Sequence, residues 1–253
     1  MRVNTLILGA GAAGMMAAAH AGSGVLIIDH AKAPGEKIRI SGGGRCNFTN
    51  METTADNFIC QNPHFAKSAL SRYTQWDFIS LVSEHGIAWH EKTLGQLFCD
   101  DSARDIIKML LSEMDKAGAE LWLKTEVGEI HHDGSDFKVS LVRNEETIQI
   151  SARNLVVATG GKSIPKMGST GLAYQIATRF GVGVIEPRPG LVPLRFSDDR
   201  FKPLAGVSTP CRATAGGISF DESLLFTHRG LSGPAILQIS SFWHEGEQIC
   251  VNL

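Results

Sequence analysis

The sequence that decides the fold reads VNTLILGAGAAG at residues 3–14. Residues 3–8 form an apolar run that is typical of a buried strand, and residues 9–14 have the spacing G-x-G-x-x-G. Residues 15–21 are mostly good helix formers, and a second apolar run, VLII at 25–28, ends at Asp29. This order of strand, glycine turn, helix and strand predicts a Rossmann-like βαβ unit in an α/β fold.

Each part of this unit has a physical task in holding a dinucleotide. Gly9 permits the tight turn, Gly11 lets the backbone approach a pyrophosphate, and Gly14 lets helix and strand pack closely. The helix N-terminus then stabilises the phosphate charge. Asp29, 20 positions after Gly9, is placed to accept hydrogen bonds from a ribose diol. The alternatives are an empty Rossmann-like unit and an NAD-dependent dehydrogenase.

A second glycine-rich stretch, GEKIRISGGGRCN at 35–47, favours FAD over NAD. It combines three cations with consecutive glycines, so we expect a loop whose N–H groups and guanidinium hold a long anionic cofactor. A flexible surface linker is the alternative reading.

Residues 35–37 (GEK) and 41–50 (SGGGRCNFTN) carry a resemblance to a known group. The chain resembles the BaiN/YhiN-like NAD(P)- and FAD-dependent oxidoreductases, two-dinucleotide-binding-domain flavoproteins with aminoacetone oxidase-like and bile-acid enoyl reductase-like members. A similar segment, LFTHRGLSGP at 225–234, extends the resemblance over nearly the whole chain. It implies an FAD-dependent oxidoreductase that transfers a hydride between flavin and a small-molecule substrate, with NAD(P)H or oxygen as redox partner. It also implies that the backbone of Val127 contacts the adenine.

Members of this family continue beyond the position that matches Leu253 and return to the nucleotide domain. We therefore expect a C-terminally truncated chain that binds FAD weakly or not at all when expressed alone. A non-catalytic dinucleotide-binding module or an inactive flavoprotein is the corresponding alternative function.

The middle of the chain predicts covering helices and a meander. Apolar residues recur at helical spacing over 64–86 and 103–118, and short strands are predicted at 121–123, 125–130, 137–141 and 147–150 as a small antiparallel meander. The run NLVVATGG at 154–161 predicts a strand that returns to the main sheet, ending in small residues beside the cofactor. His131 and His132 precede a turn, and we interpret them as solvated side chains, not metal ligands.

The predicted organisation is an FAD-binding domain over 1–187, with a parallel sheet and β-meander, and part of a β-rich substrate domain over 188–253. In the second region we expect His228 and Arg229 either to contact a substrate anion or to lie in a structural turn. No residue is assigned a catalytic role. The predicted cofactor-binding residues are Gly9, Gly11, Ala12, Ala13, Gly14, Asp29, His30, Lys37, Ser41, Gly42, Gly43, Arg45, Cys46, Asn47, Val127, Ala158, Thr159, Gly160 and Gly161.

Composition narrows the class of protein. Twenty-four Lys and Arg against 26 Asp and Glu give a net charge of -2, so we expect no nucleic acid partner. Five widely spaced cysteines fit neither a disulfide framework nor a zinc site, which favours a reducing cytoplasm. No stretch is apolar for the roughly 18 residues that a membrane span needs.

Overall fold

A computed structural model describes residues 1–165 and 170–253 of the chain. The described residues form two compact units, Met1–Val184 and Ile185–Leu253. The division falls at residue 184, where the sequence predicted a boundary after residue 187. Each unit has its own sheet and its own buried apolar cluster, as an independent domain requires.

The first unit contains both α-helices and β-strands. Its described α-helices are α1 (Ala12–His20), α2 (Glu36–Ile40), α3 (Lys67–Arg72), α4 (Gln75–Glu84), α5 (Ala103–Lys116) and α6 (Leu172–Arg179). Its described strands are β1 (Arg2–Leu8), β2 (Val25–Ile28), β3 (Asn47–Asn50), β4 (Trp89–Glu91), β5 (Gln96–Cys99), β6 (Glu120–Trp122), β7 (Thr125–His132), β8 (Phe137–Arg143) and β9 (Glu146–Val157).

The main sheet of this unit has six strands in the order β6-β2-β1-β9-β8-β7. Strand β1 pairs in parallel with β2 and β9, and β2 pairs in parallel with β6. Strands β7, β8 and β9 form the antiparallel part. Leu6, Ile7 and Leu8 are fully buried, because parallel strands are covered on both faces. The predicted α/β fold with a Rossmann-like parallel sheet is confirmed.

Strand β9 corrects the sequence prediction of two separate strands. Its 12 residues run without interruption, pairing antiparallel with β8 from Glu146 to Ala152 and parallel with β1 from Ser151 onward. Ser151 and Arg153 interrupt the apolar pattern but not the strand, because Ala152 between them stays buried. The predicted strand at 121–123 is also placed differently: it belongs to the parallel part as β6, not to the meander.

The predicted helix over 64–86 is divided into α3 and α4. Thr74 separates them because its side chain and that of Asp77 form a capping box, with the Thr74 N–H donating to Asp77 at 2.7 Å. The sequence reading also missed a three-stranded sheet, β3-β5-β4. These strands have only three or four residues each, too few for a period-2 pattern to be recognised.

Helix α5 covers one face of the main sheet and agrees with its predicted amphipathic pattern. It begins after Ser102, whose hydroxyl accepts a hydrogen bond from the Arg104 N–H at 3.2 Å. Ile106, Leu110 and Met114 are buried along one side, in the same cluster as Met15 of α1. The result is a rigid layer of two helices beneath the glycine turn.

The second unit contains a five-stranded antiparallel sheet in the order β10-β13-β12-β11-β14. Its strands are β10 (Leu194–Arg195), β11 (Ser208–Ala215), β12 (Ile218–Thr227), β13 (Gly230–Ser232) and β14 (Cys250–Asn252). One helix, α7 (Pro234–Ile239), was not predicted. It begins with a proline, which suits the first helical position, and buries Ala235, Ile236 and Ile239 in the apolar cluster of this unit.

In the part of the chain that the structure describes, no helix combines the length and apolar character needed to cross a lipid bilayer.

Candidate functional site

The glycine turn between β1 and α1 is shaped by three different steric demands. Gly9 has φ +106°, and a β-carbon there would lie 2.5 Å from the Ala158 carbonyl oxygen. A β-carbon on Gly14 would lie 1.8 Å from the Gly9 carbonyl oxygen, so only glycine lets α1 approach the turn. A β-carbon on Gly11 would meet no atom within 4 Å. The turn is therefore closed at Gly9 and Gly14 and open at Gly11, where the N–H groups of α1 begin.

Asp29, directly after β2, fixes this turn from the side. Its carboxylate accepts hydrogen bonds from the backbone N–H of Ala10 at 2.7 Å and of Ala31 at 2.9 Å. Nδ1 of His30 lies 3.3 Å from the same carboxylate. Asp29 thus has a structural task that the sequence reading did not include, and its predicted ribose contact stays a prediction.

A cavity of about 260 Å³ lies at the carboxyl edge of the parallel strands. This is where open α/β sheets bind their ligands. Five predicted cofactor residues line it: Gly9, Asp29, His30, Val127 and Thr159. The other lining residues are Leu8, Ile28, Thr125, Glu126, Thr170 and Leu172.

The hydroxyl of Thr159 is the feature of this cavity that most clearly calls for a polar ligand. Its oxygen is buried, and it makes no hydrogen bond within the described residues. Leaving a buried hydroxyl unpaired costs about 1–3 kcal/mol, so such groups are retained where something else pairs with them. A ribose or phosphate oxygen in the cavity is a suitable partner, and the site therefore fits a nucleotide.

A second and larger cavity, of about 590 Å³, is bounded by α1, α2, β3 and the helices α3 to α5. Its lining includes six predicted cofactor residues: Ala12, Ala13, Lys37, Ser41, Cys46 and Asn47. The remaining lining residues are Met16, Ile38, Phe48, Thr49, Thr53, Phe58, Leu70, Tyr73, Thr74, Gln75, Phe78, Ile106 and Leu110. This set contains no carboxylate, and Lys37 is its single formal charge. The cavity suits a flat, mostly apolar group with carbonyl oxygens.

The stretch over 35–47 is not the continuous loop that the sequence predicted. Residues Glu36–Ile40 form helix α2, and a short 3₁₀ turn follows at Ser41–Gly44. Helix formation over these five residues is favoured because Glu, Lys, Ile and Arg are good or moderate helix formers. Gly42, at φ +56°, approaches the Asn47 backbone and the Phe98 ring so closely that a β-carbon would lie 2.7 Å from each. The glycines therefore set the turn that brings Cys46 and Asn47 to the cavity.

Lys37 brings together two segments that the sequence reading had treated separately. Its ammonium donates to the Gly161 carbonyl oxygen at 3.4 Å and to the Ser163 hydroxyl at 3.2 Å. Helix α2 is thus connected to the loop that follows β9.

The other predicted cofactor residues line neither cavity: Gly11, Gly14, Gly42, Gly43, Arg45, Ala158, Gly160 and Gly161. Of these, Gly42, Gly43, Arg45, Gly160 and Gly161 are exposed.

The family model described as "HI0933-like protein Rossmann domain" matches residues 3–226. The chain belongs to the HI0933-like family. This assignment includes the glycine turn, both cavities and most of the second unit.

Two curated relatives of this HI0933-like chain are named "Ribosomal RNA dihydrouridine synthase". The protein from Escherichia coli K12 is 51% identical over 259 residues, which cover 100% of this chain and 64% of the relative. That from Haemophilus influenzae is 51% identical over 254 residues, covering 98% of this chain and 63% of the relative. The "3-dehydro-bile acid delta(4,6)-reductase" of Clostridium scindens is 26% identical over 245 residues, covering 92% and 59%. The chain spans just under two thirds of the length of the first two.

The names of the two closer relatives conflict with the expectation that nucleic acid is not a partner. That expectation rested on the net charge of -2, which averages over the whole surface. A local basic patch binds RNA whatever the total charge of the chain is.

Two neutral acids line the larger cavity of this HI0933-like chain. Burial raises the pKa of the Cys46 thiol, and a hydrogen bond with Ser41 opposes that effect. Burial, followed by the charges of Asp77, Glu113 and Glu84, raises the pKa of the Tyr73 phenol. Both groups therefore keep their protons at neutral pH. Tyr73 is 39% exposed and Cys46 only 6%, so Tyr73 exchanges protons with solvent more readily.

Tyr73 and the aromatic residues around it were missed because distant segments bring them to the cavity. Phe48 lies on β3 and packs against Phe78 of α4, with ring centroids 6.1 Å apart, and against Trp89 at 6.3 Å. The sequence reading treated α4 and α5 as covering elements only. The one available signal was the apolar pair Ile106 and Leu110, which is spaced to face the same direction from α5.

Among the described residues, no cluster of His, Cys, Asp or Glu has the arrangement of a metal site. His131 and His132 lie exposed at the end of β7.

Proposed function

We propose that this chain binds FAD across both cavities, more weakly than a full-length relative does, and is part of a reductase that converts uridine in RNA to dihydrouridine. The observation that carries the proposal is the position of the two cavities. The smaller one is lined by Gly9 and the larger one by Ala12 and Ala13, so both adjoin the same glycine turn. A cofactor with its pyrophosphate at Gly11 then has a cavity for each of its two ends.

FAD is favoured over NAD by the larger cavity. A nucleotide with adenosine near Asp29, Val127 and Thr159 uses only the smaller cavity. An isoalloxazine ring is flat, largely apolar and rich in carbonyl oxygens, which suits a cavity with aromatic walls and the one cation Lys37. An NAD-dependent dehydrogenase would not need the turn at 41–44 that shapes this cavity. NAD(P)H remains in the proposal as the electron donor.

The substrate class comes from the names of the relatives and from carbonyl chemistry. Dihydrouridine differs from uridine by two hydrogens across a carbon–carbon double bond conjugated to a carbonyl group. Reduction of such a bond requires a hydride at one carbon and a proton at the other. Bound flavin supplies the hydride. We propose that the phenol of Tyr73 holds the proton, because it is neutral at working pH and exposed enough to be reprotonated between turnovers.

A first experiment tests FAD binding through Thr159. In Thr159→Val the side chain keeps its shape and loses its hydroxyl, so the cofactor-free protein should be at least as stable as the wild type. The affinity for FAD, measured by flavin fluorescence quenching, should fall about tenfold if a hydrogen bond worth roughly 1.4 kcal/mol is lost. Thr159→Ser, which keeps the oxygen, is the matched control. Equal FAD affinity in all three proteins would contradict the proposal that the nucleotide occupies this cavity.

A second experiment tests the reaction. The protein is loaded with FAD, mixed with NADPH and with ribosomal RNA free of dihydrouridine, and the RNA nucleosides are analysed by mass spectrometry. A gain of two hydrogens on uridine is expected. Bleaching of the flavin by NADPH without formation of dihydrouridine would support an FAD-dependent oxidoreductase but contradict RNA as its substrate. Neither bleaching nor product would favour the competing function, a non-catalytic dinucleotide-binding module.

We place this reaction in the cytoplasm. The proposal is supported by five cysteines without a disulfide, of which Cys60 and Cys250 are exposed.

A further inference from the structure

Residues 57–76, here termed the aromatic segment, expose four large rings next to the larger cavity. The exposed fractions are 46% for Phe58, 75% for Phe65, 39% for Tyr73 and 54% for Trp76. Within the described residues, none of these four rings contacts another aromatic ring. Exposing this much aromatic surface in one short segment is uncommon in a surface that stays in water.

The aromatic segment is also basic. Its 20 residues contain Lys67, Arg72 and His64 and no Asp or Glu, and Asp56 and Asp77 flank it directly. The Arg72 guanidinium donates to the Ser68 hydroxyl at 2.7 Å and, within the described part of the chain, has no carboxylate partner. Helix α3 carries Lys67 and Arg72, with Phe65 before it and Tyr73 after it. The two cations therefore lie between exposed rings along a single short stretch.

The segment is continuous with the larger cavity. Phe58, Leu70 and Tyr73 line that cavity and belong to the segment. Thr74 and Gln75 continue the lining, and Trp76 follows them directly. A polymer bound along the segment therefore passes the cavity where one of its units would enter.

We infer that the aromatic segment binds single-stranded RNA, with bases stacked on Phe65 and Trp76 and phosphates near Lys67 and Arg72. The inference rests on the proposed function for the identity of the polymer. Single-stranded RNA is the form whose unpaired bases reach aromatic side chains, since a duplex keeps its bases stacked on one another. A uridine must also leave any base pair before its ring enters a cavity. Lys67 and Arg72 match the charge of a phosphate backbone, and the carboxylates of Asp56 and Asp77 lie outside the two ends of the segment.

The first test measures the affinity of the FAD-loaded protein for a labelled oligouridylate by fluorescence anisotropy. A length of about 12 nucleotides is within the usual footprint of a stacking platform. The double variant Phe65→Ala, Trp76→Ala should bind about tenfold more weakly or worse, because each stacked base contributes. Phe180→Ala, which removes a partly exposed ring at the C-terminal end of α6, is the matched control and should bind as the wild type does. Thermal unfolding of each variant checks that the fold is retained.

The second test separates phosphate contacts from stacking. The double variant Lys67→Gln, Arg72→Gln should reduce the slope of log affinity against log salt by about 1.4, since each contact to a single strand contributes roughly 0.7. Arg153→Gln removes an exposed cation on β9 and is the control, with an unchanged slope.

Unchanged oligouridylate affinity in both double variants would overturn the inference, and so would equal affinity for a duplex RNA. Loss of binding to anionic lipid vesicles, with RNA affinity retained, would reassign the segment to a membrane surface. These outcomes are separate from those of the proposed function. Dihydrouridine formed with RNA affinity unchanged in the variants would reject only the binding surface. Ring-dependent RNA binding without dihydrouridine would reject only the reaction.

Discussion

The carboxylate of Asp29 accepts a hydrogen bond of 2.7 Å from the backbone N–H of Ala10, so the end of β2 holds the glycine turn after β1. Ala10 is fully buried, and its N–H has no water to replace this acceptor. In Asp29→Ala the free energy of unfolding should fall by about 1–3 kcal/mol, which is the cost of a buried unpaired donor. Urea unfolding measures this value. Asp29→Asn retains one acceptor oxygen and should lose less, and equal losses in the two variants would contradict the role of this hydrogen bond.

Gly11 and Gly14 should respond in opposite ways to the same substitution. Gly14→Ala forces a β-carbon against the Gly9 carbonyl oxygen and should destabilise the protein by about 1–3 kcal/mol or more, as overpacking does. Gly11→Ala meets no protein atom and should leave the unfolding midpoint nearly unchanged. Its β-carbon occupies the space proposed for the pyrophosphate, so FAD affinity should fall about tenfold or more. Calorimetry and FAD titration measure the two effects, and a Gly11→Ala protein that binds FAD normally would place the phosphates elsewhere.

Tyr73→Phe should separate turnover from cofactor binding. Loss of the phenol proton should lower kcat for the proposed uridine reduction by about 100-fold or more, the usual size of a lost general acid. FAD affinity should not change. Because the pKa of Tyr73 is raised, the wild-type kcat should stay constant through neutral pH and decline only above pH 10. Cys46→Ala, which removes the other acid in the cavity, is the comparison, and a larger fall in kcat in that variant would transfer the role to the thiol.

Cys99 should make the protein less stable at alkaline pH. Burial, followed by the charges of Cys46, Asp105 and Asp100, raises the pKa of its thiol from 9.0 to about 12. The folded state therefore keeps a proton that the unfolded chain releases above pH 9. The stabilisation is complete below pH 9 and is lost as the pH rises towards 12, with a slope of at most about 1.4 kcal/mol per pH unit. Cys99→Ala should lose less stability between pH 8 and 10.5, whereas Cys250→Ala, at an exposed thiol, should behave as the wild type.

The sequence predicted most of what depends on residues close together in the chain. The bounds of β2 agree, and β1 begins one residue earlier than the predicted run, because a glycine turn after an apolar run is a local signal. The division between α3 and α4 was not predicted, although Thr74 and Asp77 have the spacing of a capping box. The helical spacing of the apolar residues on both sides of Thr74 favoured a single continuous helix instead.

The larger cavity was predicted only in part, for a different reason. Lys37, Cys46 and Asn47 belong to a recognisable motif, whereas Phe48, Tyr73 and Leu110 reach the cavity through packing between segments far apart in sequence. Helical periodicity indicates which face of α5 is buried but not what it faces. The orphaned hydroxyl of Thr159 was within a predicted stretch, yet its lack of a partner is a property of the folded chain alone.

The unbroken strand β9 has a consequence for the order in which the protein folds. Residues 2–29 supply the glycine turn early in synthesis, but β1 gains its second neighbour only when Ser151–Val157 emerges, about 150 positions later. Strand β9 also pairs with β8 of the meander. The parallel strands around the glycine turn and the meander should therefore gain hydrogen-exchange protection in one step. A nascent chain that stops before residue 146 would hold the complete glycine motif on an unpaired strand edge, which exposes it to aggregation and to chaperones.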